Sequence, residues 1–580
     1  MAAPDALMKV AQAASTAGGL VKHGPTVIET IDGDVAGPIN RALASCPDTG
    51  CLVRIPALGP VDVRSQILVI RPNVTIACDS LGAATLTMRF GGADMIRAQA
   101  DNFELSGCSI NGNGADQGSA AVHVVGGNRA KIHGNRITDP RPPKDNTWLG
   151  VRVEGCDHMA GQCPSSTINA NYAEIYGNFL TVPWIAVSTG TYANYANVHD
   201  NYMVDGGEAF DFNGNDNHGG GVTDSVGDVF QNNWVIGGYG VSFLESVSGA
   251  QIVGNHFIGA GTTANPTVMV HMVYGTVDRP TVIANNTCIG NATTASCFDI
   301  FQNQGRVVLE GNLISHMGGD GILIDATSGP PQFTTIAGNT IYDSGQQSAS
   351  GGFCAIRFHQ SASVGVPNAT VTGNVAFDDQ PKPTQQFGLC ADNTAATYAL
   401  TATGNNFAFN GKGGLSLPGG CIGCAIGENA EDRSGNLVDR STTVPYPTNS
   451  LSLGASGNSY KDIWLSGVVQ KGGGSTVAFP SVAGNPTAVV STQPLAQGNC
   501  LQAVGGYAVE SAAGPCMPLA GSFTTTGAAE SVVALPGMSP SGRCSLTPTN
   551  ASAAGNLSTA FVARKSADEI TVAHAGVRGM

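Results

Sequence analysis

Charged residues are scarce in this 580-residue chain, where Asp, Glu, Lys and Arg together make up 12% of the sequence. Acidic residues outnumber basic ones by 42 to 27, which gives a formal net charge of −15. Nucleic acids and anionic membrane surfaces both require a basic footprint, so neither is an expected partner. A local basic pocket that binds an anionic glycan stays compatible with this charge balance.

Long apolar runs are missing as well. No segment approaches the roughly 20 consecutive apolar residues of a membrane-spanning helix, so we expect no membrane insertion. Residues 1–19 lack a basic stretch followed by an apolar core, so no secretory signal peptide is expected. Few segments combine helix-forming residues with a 3.6-residue period, and the sequence instead indicates many short strands joined by polar turns.

The chain has 42% hydrophobic residues and 78 glycines. This hydrophobic content is typical of an ordered protein. A single compact core stops growing at roughly 250–300 residues, so the chain holds either several domains or a solenoid whose repeats bury their faces on one another. The composition favours the solenoid.

An internal repeat supports it: an apolar residue, two further residues, an Asn, one residue and a second apolar residue, as in Ile132–Ile137. The Asn-to-Asn spacings run from 23 to 43 residues. In a parallel β-helix each coil contributes short strands whose alternate residues point into a stacked core. We expect the Asn to occupy a sharp bend, because Asn tolerates the left-handed conformation. The copies centre on Asn135, Asn178, Asn201, Asn232, Asn255, Asn312 and Asn339, with looser ones at Asn285, Asn374 and Asn405.

Residues 36–435 resemble the pectate-lyase-like superfamily of right-handed parallel β-helices. Val35–Cys46 has the pattern of a short amphipathic helix, with Pro38 in its first turn, and such a helix could cap the open end of a solenoid. We therefore predict an all-β chain: an N-terminal segment (1–35), a right-handed parallel β-helix with a short capping helix (36–435), a linker (436–480) and one or two small C-terminal β domains (481–580).

The segment Gly457–Gly467 resembles a motif of bacteriophage tail fibres and tailspikes, at the point where the chain leaves its main shaft. This resemblance implies a homotrimer held by the C-terminal part and a location on a virion tail or otherwise outside the cell. The alternative is an accessory glycan-binding domain at the same place.

Cysteines are numerous, at 15, and several form close pairs in sequence, such as Cys46 with Cys51 and Cys288 with Cys297. These pairs fit local disulfides, although buried free thiols would give the same pattern. Cys421 and Cys424 have zinc-knuckle spacing without a second ligand pair, so we expect no metal there.

The strand that follows each Asn bend alternates apolar and outward residues. Stacking these strands predicts a polar stripe on the outer surface of the solenoid. Isolated outward charges are normal on a solvated strand. Four residues of this stripe, Asp299, Asp325, Arg357 and His359, instead fall on three successive coils. The stripe comprises Arg152, Glu154, Asp211, Asn213, Glu245, His271, Asp299, Asp325, Arg357, His359 and Asp392.

Asp299 and Asp325 are the predicted catalytic pair. They fall in neighbouring outward columns one coil apart, so a coil spacing of about 4.8 Å and a two-residue step of about 6.7 Å place their Cα atoms roughly 8 Å apart. Inverting glycosidases hold their two carboxyl groups about 6.5–9.5 Å apart, with one acting as acid and the other as base. Arg357 and His359 would then bind a uronate or stabilise charge.

The same residues allow other functions. In polysaccharide lyases of this superfamily an Arg can abstract a proton next to a uronate carboxylate, and Arg357 would be that base. A non-catalytic glycan-binding fibre is the third hypothesis, which burial or separation of the two carboxylates would favour. We predict a glycoside hydrolase that depolymerises a bacterial or plant polysaccharide, with substrate contacts from Asp211, Glu245, His271, Arg152, Glu154 and Trp184.

A second cluster echoes a Ca²⁺ loop through the spacing of Asp211, Asn213 and Asn215, but Asp216 stands where that loop needs Gly. An Asn- and Asp-rich bend explains the cluster better. We therefore expect no metal site and no cofactor, with Ca²⁺ left open.

Overall fold

The computed structural model describes most of residues 23–430 and five short segments of the C-terminal part. The described ranges are 23–114, 119–142, 148–156, 169–214, 225–238, 242–245, 247–262, 265–271, 279–301, 305–326, 333–347, 352–360, 366, 368–391, 397–418, 421–427, 429–430, 501–504, 507–510, 530–534, 561–566 and 569–573. The chain divides into two units, Met1–Leu451 and Ser452–Met580.

Three long parallel sheets form the first unit, which is a right-handed parallel β-helix with a capping helix, as predicted. Sheet A has 15 strands: 23–27, 51–55, 74–78, 104–106, 131–133, 174–176, 197–199, 229–231, 251–253, 281–284, 306–310, 333–337, 369–372, 401–403 and 425–427. Sheet B has 12 strands: 59–63, 84–88, 109–111, 136–138, 179–181, 202–204, 234–236, 256–258, 287–289, 313–315, 340–342 and 375–377. Sheet C has 13 strands: 67–69, 96–98, 119–125, 148–154, 185–189, 208–213, 242–245, 268–271, 296–301, 320–325, 354–359, 387–391 and 413–416.

Each coil runs through sheets A, B and C in turn before the chain returns to sheet A one coil further on. The first strand of sheet A, His23–Val27, precedes the predicted start of the solenoid at residue 36. Three short parallel pairs flank the long sheets: 170–171 with 193–194, 225–226 with 247–248, and 397–398 with 421–422.

The capping helix spans Ala36–Ala44 and buries Ala36, Ile39, Ala42 and Leu43 against the first coil. Its apolar face is the one that the sequence pattern predicted. The helix covers core residues that would otherwise meet water at the open end of the solenoid.

The second unit contains small antiparallel sheets, in agreement with the predicted C-terminal β domain. Leu501–Val504 pairs with Tyr507–Glu510, and Glu569–Ala573 pairs with both Glu530–Ala534 and Phe561–Ser566. The tailspike-like motif 457–467 lies outside the described residues, so the homotrimer that it implies stays a prediction.

A ladder of buried asparagines lies at the bend between sheets A and B. Asn233 donates its backbone N–H and its Nδ2 to Oδ1 of Asn255 at 2.9 and 3.1 Å, and its Nδ2 also donates to the carbonyl of Val198 at 2.9 Å. The ladder consists of Asn135, Asn178, Asn201, Asn233, Asn255, Asn286, Asn312, Asn339, Asn374, Asn405 and Asn429.

The predicted role of the repeat Asn was wrong in two respects. The left-handed residue is the one before each ladder Asn from Asn135 to Asn405, such as Gly134 or Gly254, while the Asn itself is buried and stacks on its copies. Two centres were therefore misplaced by one residue: Asn232 and Asn285 adopt the left-handed conformation, with φ of 55° and 56°, and Asn233 and Asn286 join the ladder. Asn can fill either position, so sequence alone did not separate them.

Disulfides link Cys46 to Cys51 and Cys288 to Cys297, as two of the close pairs predicted. Three further bonds join Cys78 to Cys108, Cys354 to Cys390 and Cys421 to Cys424. The zinc-knuckle spacing of Cys421 and Cys424 thus belongs to a disulfide. Two further pairs that are close in sequence, Cys156 with Cys163 and Cys500 with Cys516, include residues outside the described part of the chain.

In the part of the chain that the structure describes, none of the helices has the length and hydrophobicity needed to cross a membrane.

Candidate functional site

The outer face of sheet C carries the predicted stripe in aligned columns. The first column runs, coil by coil, through Arg97, His123, Arg152, Ser188, Asp211, Phe243, Met269, Asp299, Leu323, Arg357, Cys390 and Ser416. The second column runs through Asn213, Glu245, His271, Phe301, Asp325 and His359. Asp392 lies outside the described residues.

Aligning the strands of the stripe by their apolar alternation predicts that Ile185 pairs with Val151. Val187 holds that position instead, and Ser188 therefore pairs with Arg152. Ile185 instead packs with Ala120 and Leu149 in a small apolar cluster separate from the core. A slip of two residues keeps the in-and-out alternation, so the pattern alone did not exclude it.

Asp299 and Asp325 occupy the predicted diagonal. Asp299 pairs with Leu323 and Phe301 pairs with Asp325, so the two carboxylates sit one coil and one column apart. This register agrees with the Cα separation of roughly 8 Å that strand spacings give.

The environment of Asp299 favours its protonated form. The residue is 9% exposed, and its Oδ1 is buried without a hydrogen-bond partner among the described residues. Burial, reinforced by the charge of Asp325, raises the pKa of Asp299 to about 7, although His359 acts in the opposite direction. Asp325, one coil on, is half-buried.

Arg357 is held by Asp320, a residue that the sequence analysis missed. The Arg357 Nε donates to Asp320 Oδ2 at 2.7 Å, and its Nη2 donates to the carbonyl of Gly352 at 2.7 Å. Asp320 Oδ1 also accepts the backbone N–H of Cys354. His359 lies beside Asp325 in the second column, on the same coil as Arg357.

Glu245 and His271 continue the second column toward the N-terminus. His271 Nδ1 lies 3.3 Å from Glu245 Oε1, and the His271 ring stacks on Phe301 at 5.2 Å between centroids. Glu245 Oε2 also accepts from Asn213 Nδ2 at 3.1 Å. These contacts join Asn213, Glu245 and His271 in a row of polar side chains, and Phe301 lies between this row and Asp325.

A cleft of about 210 Å³ lies at the N-terminal end of this row. Four of the six predicted substrate-binding residues line it, namely Arg152, Glu154, Trp184 and Asp211. Ser188 also lines the cleft, and it pairs with Arg152 on one neighbouring strand and with Asp211 on the other. We call this the Ser188 cleft.

Glu154 does not reach the surface as an exposed stripe residue. It is fully buried, and its Oε1 lies 2.8 Å from His123 Nε2 while its Oε2 accepts from Arg152 Nη2 at 2.9 Å. We therefore interpret Glu154 as a support for the floor of the Ser188 cleft, since it fixes the Arg152 guanidinium.

His123 lies between two carboxylates that the sequence analysis did not connect. Its Nδ1 is 2.8 Å from Asp94 Oδ2, which also accepts from Arg97 at 3.1 Å. Burial by itself would lower the pKa of His123, but the hydrogen bonds and charges of Asp94 and Glu154 outweigh it, and the pKa is raised. The outward position of His123 in the strand Ser119–Val125 was the sequence signal for this network.

This network predicts a pH-dependent contribution to stability. The raised pKa of His123 stabilises the fold below its usual 6.5 and loses effect as pH rises through the folded value. The pKa of Asp94 is lowered, because the hydrogen bond and charge of His123 outweigh burial, so its contribution is present above the usual 3.8 and is lost as pH falls. We expect His123→Gln to lower the free energy of unfolding by about 2 kcal/mol between pH 3.8 and pH 6.5, the usual pKa values of the two groups, and by less in alkaline solution.

The measurement is urea unfolding of both proteins across pH. His256→Gln is the control, because the His256 ring stacks on Trp234 at 4.2 Å and has no carboxylate partner among the described residues. If His123→Gln lowers the free energy of unfolding by the same amount at every pH, the network as described is contradicted.

The predicted Ca²⁺-like cluster is only partly described. Asn215, Asp216 and His218 lie outside the described residues. Among the residues that the structure does describe, no group of three or more His, Cys, Asp and Glu side chains could hold a metal ion.

No protein-family model matches the sequence, and no curated protein matches it either. Solved structures with similar folds do exist. The A-module of mannuronan C-5 epimerase AlgE4 from Azotobacter vinelandii is 13% identical and has a TM-score of 0.40, over 68% of this chain and 95% of that chain. Pre-mature gene product 12 of bacteriophage phi29 is 12% identical with a TM-score of 0.46, over 67% and 55% of the two chains. The Dettilon tailspike protein is 14% identical with a TM-score of 0.37, over 67% and 66%. At these identities the likeness concerns the parallel β-helix fold alone.

Proposed function

We propose that this protein is a glycoside hydrolase that depolymerises a polysaccharide on the outer face of sheet C, with Asp299 as general acid and Asp325 as general base. The diagonal register of the two carboxyl groups carries the proposal. The Cα separation of roughly 8 Å that this register implies is compatible with the roughly 6.5–9.5 Å between the carboxyl groups of an inverting pair, which leaves room for a water molecule.

The two carboxyl groups have different environments, as acid and base require. Asp299 is nearly buried, with a pKa raised to about 7, so a large fraction is protonated near neutral pH and can protonate the glycosidic oxygen. Asp325 is more exposed and can accept a proton from the attacking water. The bond from the anomeric carbon to the leaving oxygen breaks as the water oxygen bonds to that carbon from the opposite face.

The burial of Asp299 also supports a second candidate, a fibre that binds glycan without cutting it. Substrate must touch a general acid, and 9% exposure leaves little of the side chain accessible. The raised pKa favours the enzyme, because the burial that restricts access also keeps the acid protonated.

The lyase alternative is weakened by the contacts of Arg357. Its Nε forms an ion pair with Asp320, which stabilises the charged guanidinium. An Arg that abstracts a proton must first be deprotonated, so this ion pair opposes the role of a base. Arg357 instead suits a role in fixing Asp320, whose charge contributes to the raised pKa of Asp299.

The disulfides support an oxidising location, since disulfides of this kind persist outside the cytosol. We propose a virion tail or another extracellular position.

Product analysis on a panel of bacterial capsular, exopolysaccharide and plant glycans tests the function. New reducing ends without unsaturated sugars would support the hydrolase. Unsaturated products would establish a lyase, and retention of a glycan without any product would establish the fibre.

We expect cleavage to weaken as pH rises through about 7, because Asp299 then loses the proton that it must donate. The pH profile of kcat/KM on the substrate found in the panel measures this limb. A rate that holds steady well above neutral pH would contradict the role of Asp299 as the acid.

A further inference from the structure

We propose that the Ser188 cleft is a second carbohydrate subsite that holds a neutral hexose unit of the glycan cut at the Asp299–Asp325 pair. This inference rests on the proposed function for the identity of the glycan, but the cleft itself is argued from its own residues. Its lining includes Arg152, Trp184, Ser188, Asp211 and Asn213.

The volume of the cleft suits a single small polar ligand. Its 210 Å³ is well above the roughly 10–15 Å³ that one ordered water needs. It is therefore larger than a site for one ordered water and smaller than the roughly 300–1,000 Å³ of pockets that hold drug-sized ligands.

The walls are held rigidly. Arg152 is fixed by two hydrogen bonds to Glu154 Oε2, at 3.2 and 2.9 Å, and the fully buried Glu154 is fixed in turn by His123. Side chains held in this way are preorganised, so a ligand loses less free energy in ordering them.

Trp184 supplies a fixed apolar surface. It packs against the small cluster of Ala120, Leu149 and Ile185, which lies apart from the main core. The remaining accessible part of the indole faces a cleft with carboxylate, amide and hydroxyl groups. An apolar ring beside such groups matches a pyranose, which has C–H bonds on its faces and hydroxyls at its edge.

The charges favour a neutral sugar over an acidic one. Among the described lining residues, Arg152 is paired with Glu154, whose other carboxylate oxygen contacts His123, and Asp211 adds a second carboxylate. A uronate would therefore meet Asp211, and the described lining holds no cation besides Arg152. Sugar hydroxyls can both donate to Asp211 and accept from Arg152.

The register connects this cleft to the catalytic pair. Asp211 and Asp299 occupy the same column three coils apart, which is roughly 14 Å at about 4.8 Å per coil. Asn213, Glu245 and His271 lie in the second column along this interval, beside Phe243 and Met269 of the first column, and Phe301 follows before Asp325. One glycan chain of a few units therefore reaches from the cleft to the Asp299–Asp325 pair.

Hexose binding to the Asp299→Asn protein tests the subsite without cleavage. D-glucose, D-galactose, D-mannose and D-glucuronate are compared by saturation-transfer NMR. We expect at least one neutral hexose to bind, D-glucuronate to bind less, and Ser188→Leu to abolish binding by filling the cleft. Ser416→Leu is the matched control, since Ser416 lies in the same column at the far end of sheet C.

Three results would overturn the subsite: no signal from any neutral hexose, a signal that survives Ser188→Leu, or stronger binding of D-glucuronate. Asp211→Asn keeps the side-chain volume and provides a second variant if Ser188→Leu does not fold, and its loss of hexose binding would support the same conclusion. Hexose binding in the absence of any cleavage by wild-type protein would refute the hydrolase and leave the cleft as a binding site.

The substrate found in the product analysis gives a kinetic test. Ser188→Leu is expected to raise KM by at least about tenfold with kcat unchanged, because filling a subsite remote from the reaction removes binding that is equal in the ground state and the transition state. An equal fall in kcat and kcat/KM would instead place the reaction itself at the cleft and overturn the assignment of a distal subsite.

Discussion

Replacing Asp299 by Asn is expected to lower kcat for glycan cleavage by about 10²–10⁴-fold, the usual contribution of general acid catalysis. The amide has nearly the shape of the carboxyl group but carries no proton at a suitable pKa. Asp325→Asn is expected to cause a loss of similar size, because the attacking water would lose its base. Reducing-end release by the two variants and by wild-type protein is the measurement.

Glu310→Gln is the control for these variants, since Glu310 is an exposed carboxylate on sheet A, on a different face of the solenoid. Its activity should equal that of the wild type. The Asp299→Asn protein should be at least as stable as the wild type, because it removes a carboxyl group that is costly to bury when ionised. Full cleavage by both Asp variants would remove this pair from the mechanism.

Replacing Asn233 by Ala is expected to lower the free energy of unfolding by roughly 3 kcal/mol. The substitution leaves the carbonyl of Val198 and the backbone N–H of Asn201 without their side-chain partner, and it interrupts the ladder between Asn201 and Asn255. All of these groups are buried, so water does not replace the lost hydrogen bonds.

The neighbouring position gives a matched control. Asn232→Gly introduces at the left-handed bend the residue type that other coils have there, such as Gly254. It should therefore lower the free energy of unfolding by less than about 1 kcal/mol. Urea unfolding followed by far-UV circular dichroism compares the two variants. Equal destabilisation by both would mean that the bend, and not the buried ladder, determines stability at this coil.

Much of the fold was predictable because its causes are local and repeated. The recurrence of Asn and Gly at bends, followed by alternating apolar residues, specified a stacked solenoid, and the apolar face of the helix with Ile39, Ala42 and Leu43 specified its cap. The exact ladder residue was not predictable at Asn232–Asn233, where two asparagines stand side by side and either could serve the bend.

The site was predictable where it depended on one strand alone. The outward positions of Asp299 and Asp325 follow from the alternation within 296–301 and 320–325. The Ser188 cleft was not predictable as a cleft, because it depends on Val187 pairing with Val151, and a two-residue slip leaves the alternation unchanged. Asp94 lies before the strand 96–98, and Asp320 is the first residue of the strand 320–325. Both were missed because period-two patterning gives no direction for a side chain at such positions.

The order of residues was enough to establish that the chain stacks into a parallel β-helix and that a polar stripe follows one of its faces, because both depend on the repeat period and the alternation of residues. Which polar residues are exposed and which are buried followed from the packing of the coils in three dimensions. Glu154 and His123 belong to the outward columns, yet they lie in a buried ion-pair network, since their exposure depends on contacts between coils far apart in sequence. The raised pKa of Asp299 has the same origin, because its burial and its neighbour Asp325 come from the stacking of coils and not from the order of residues along one strand.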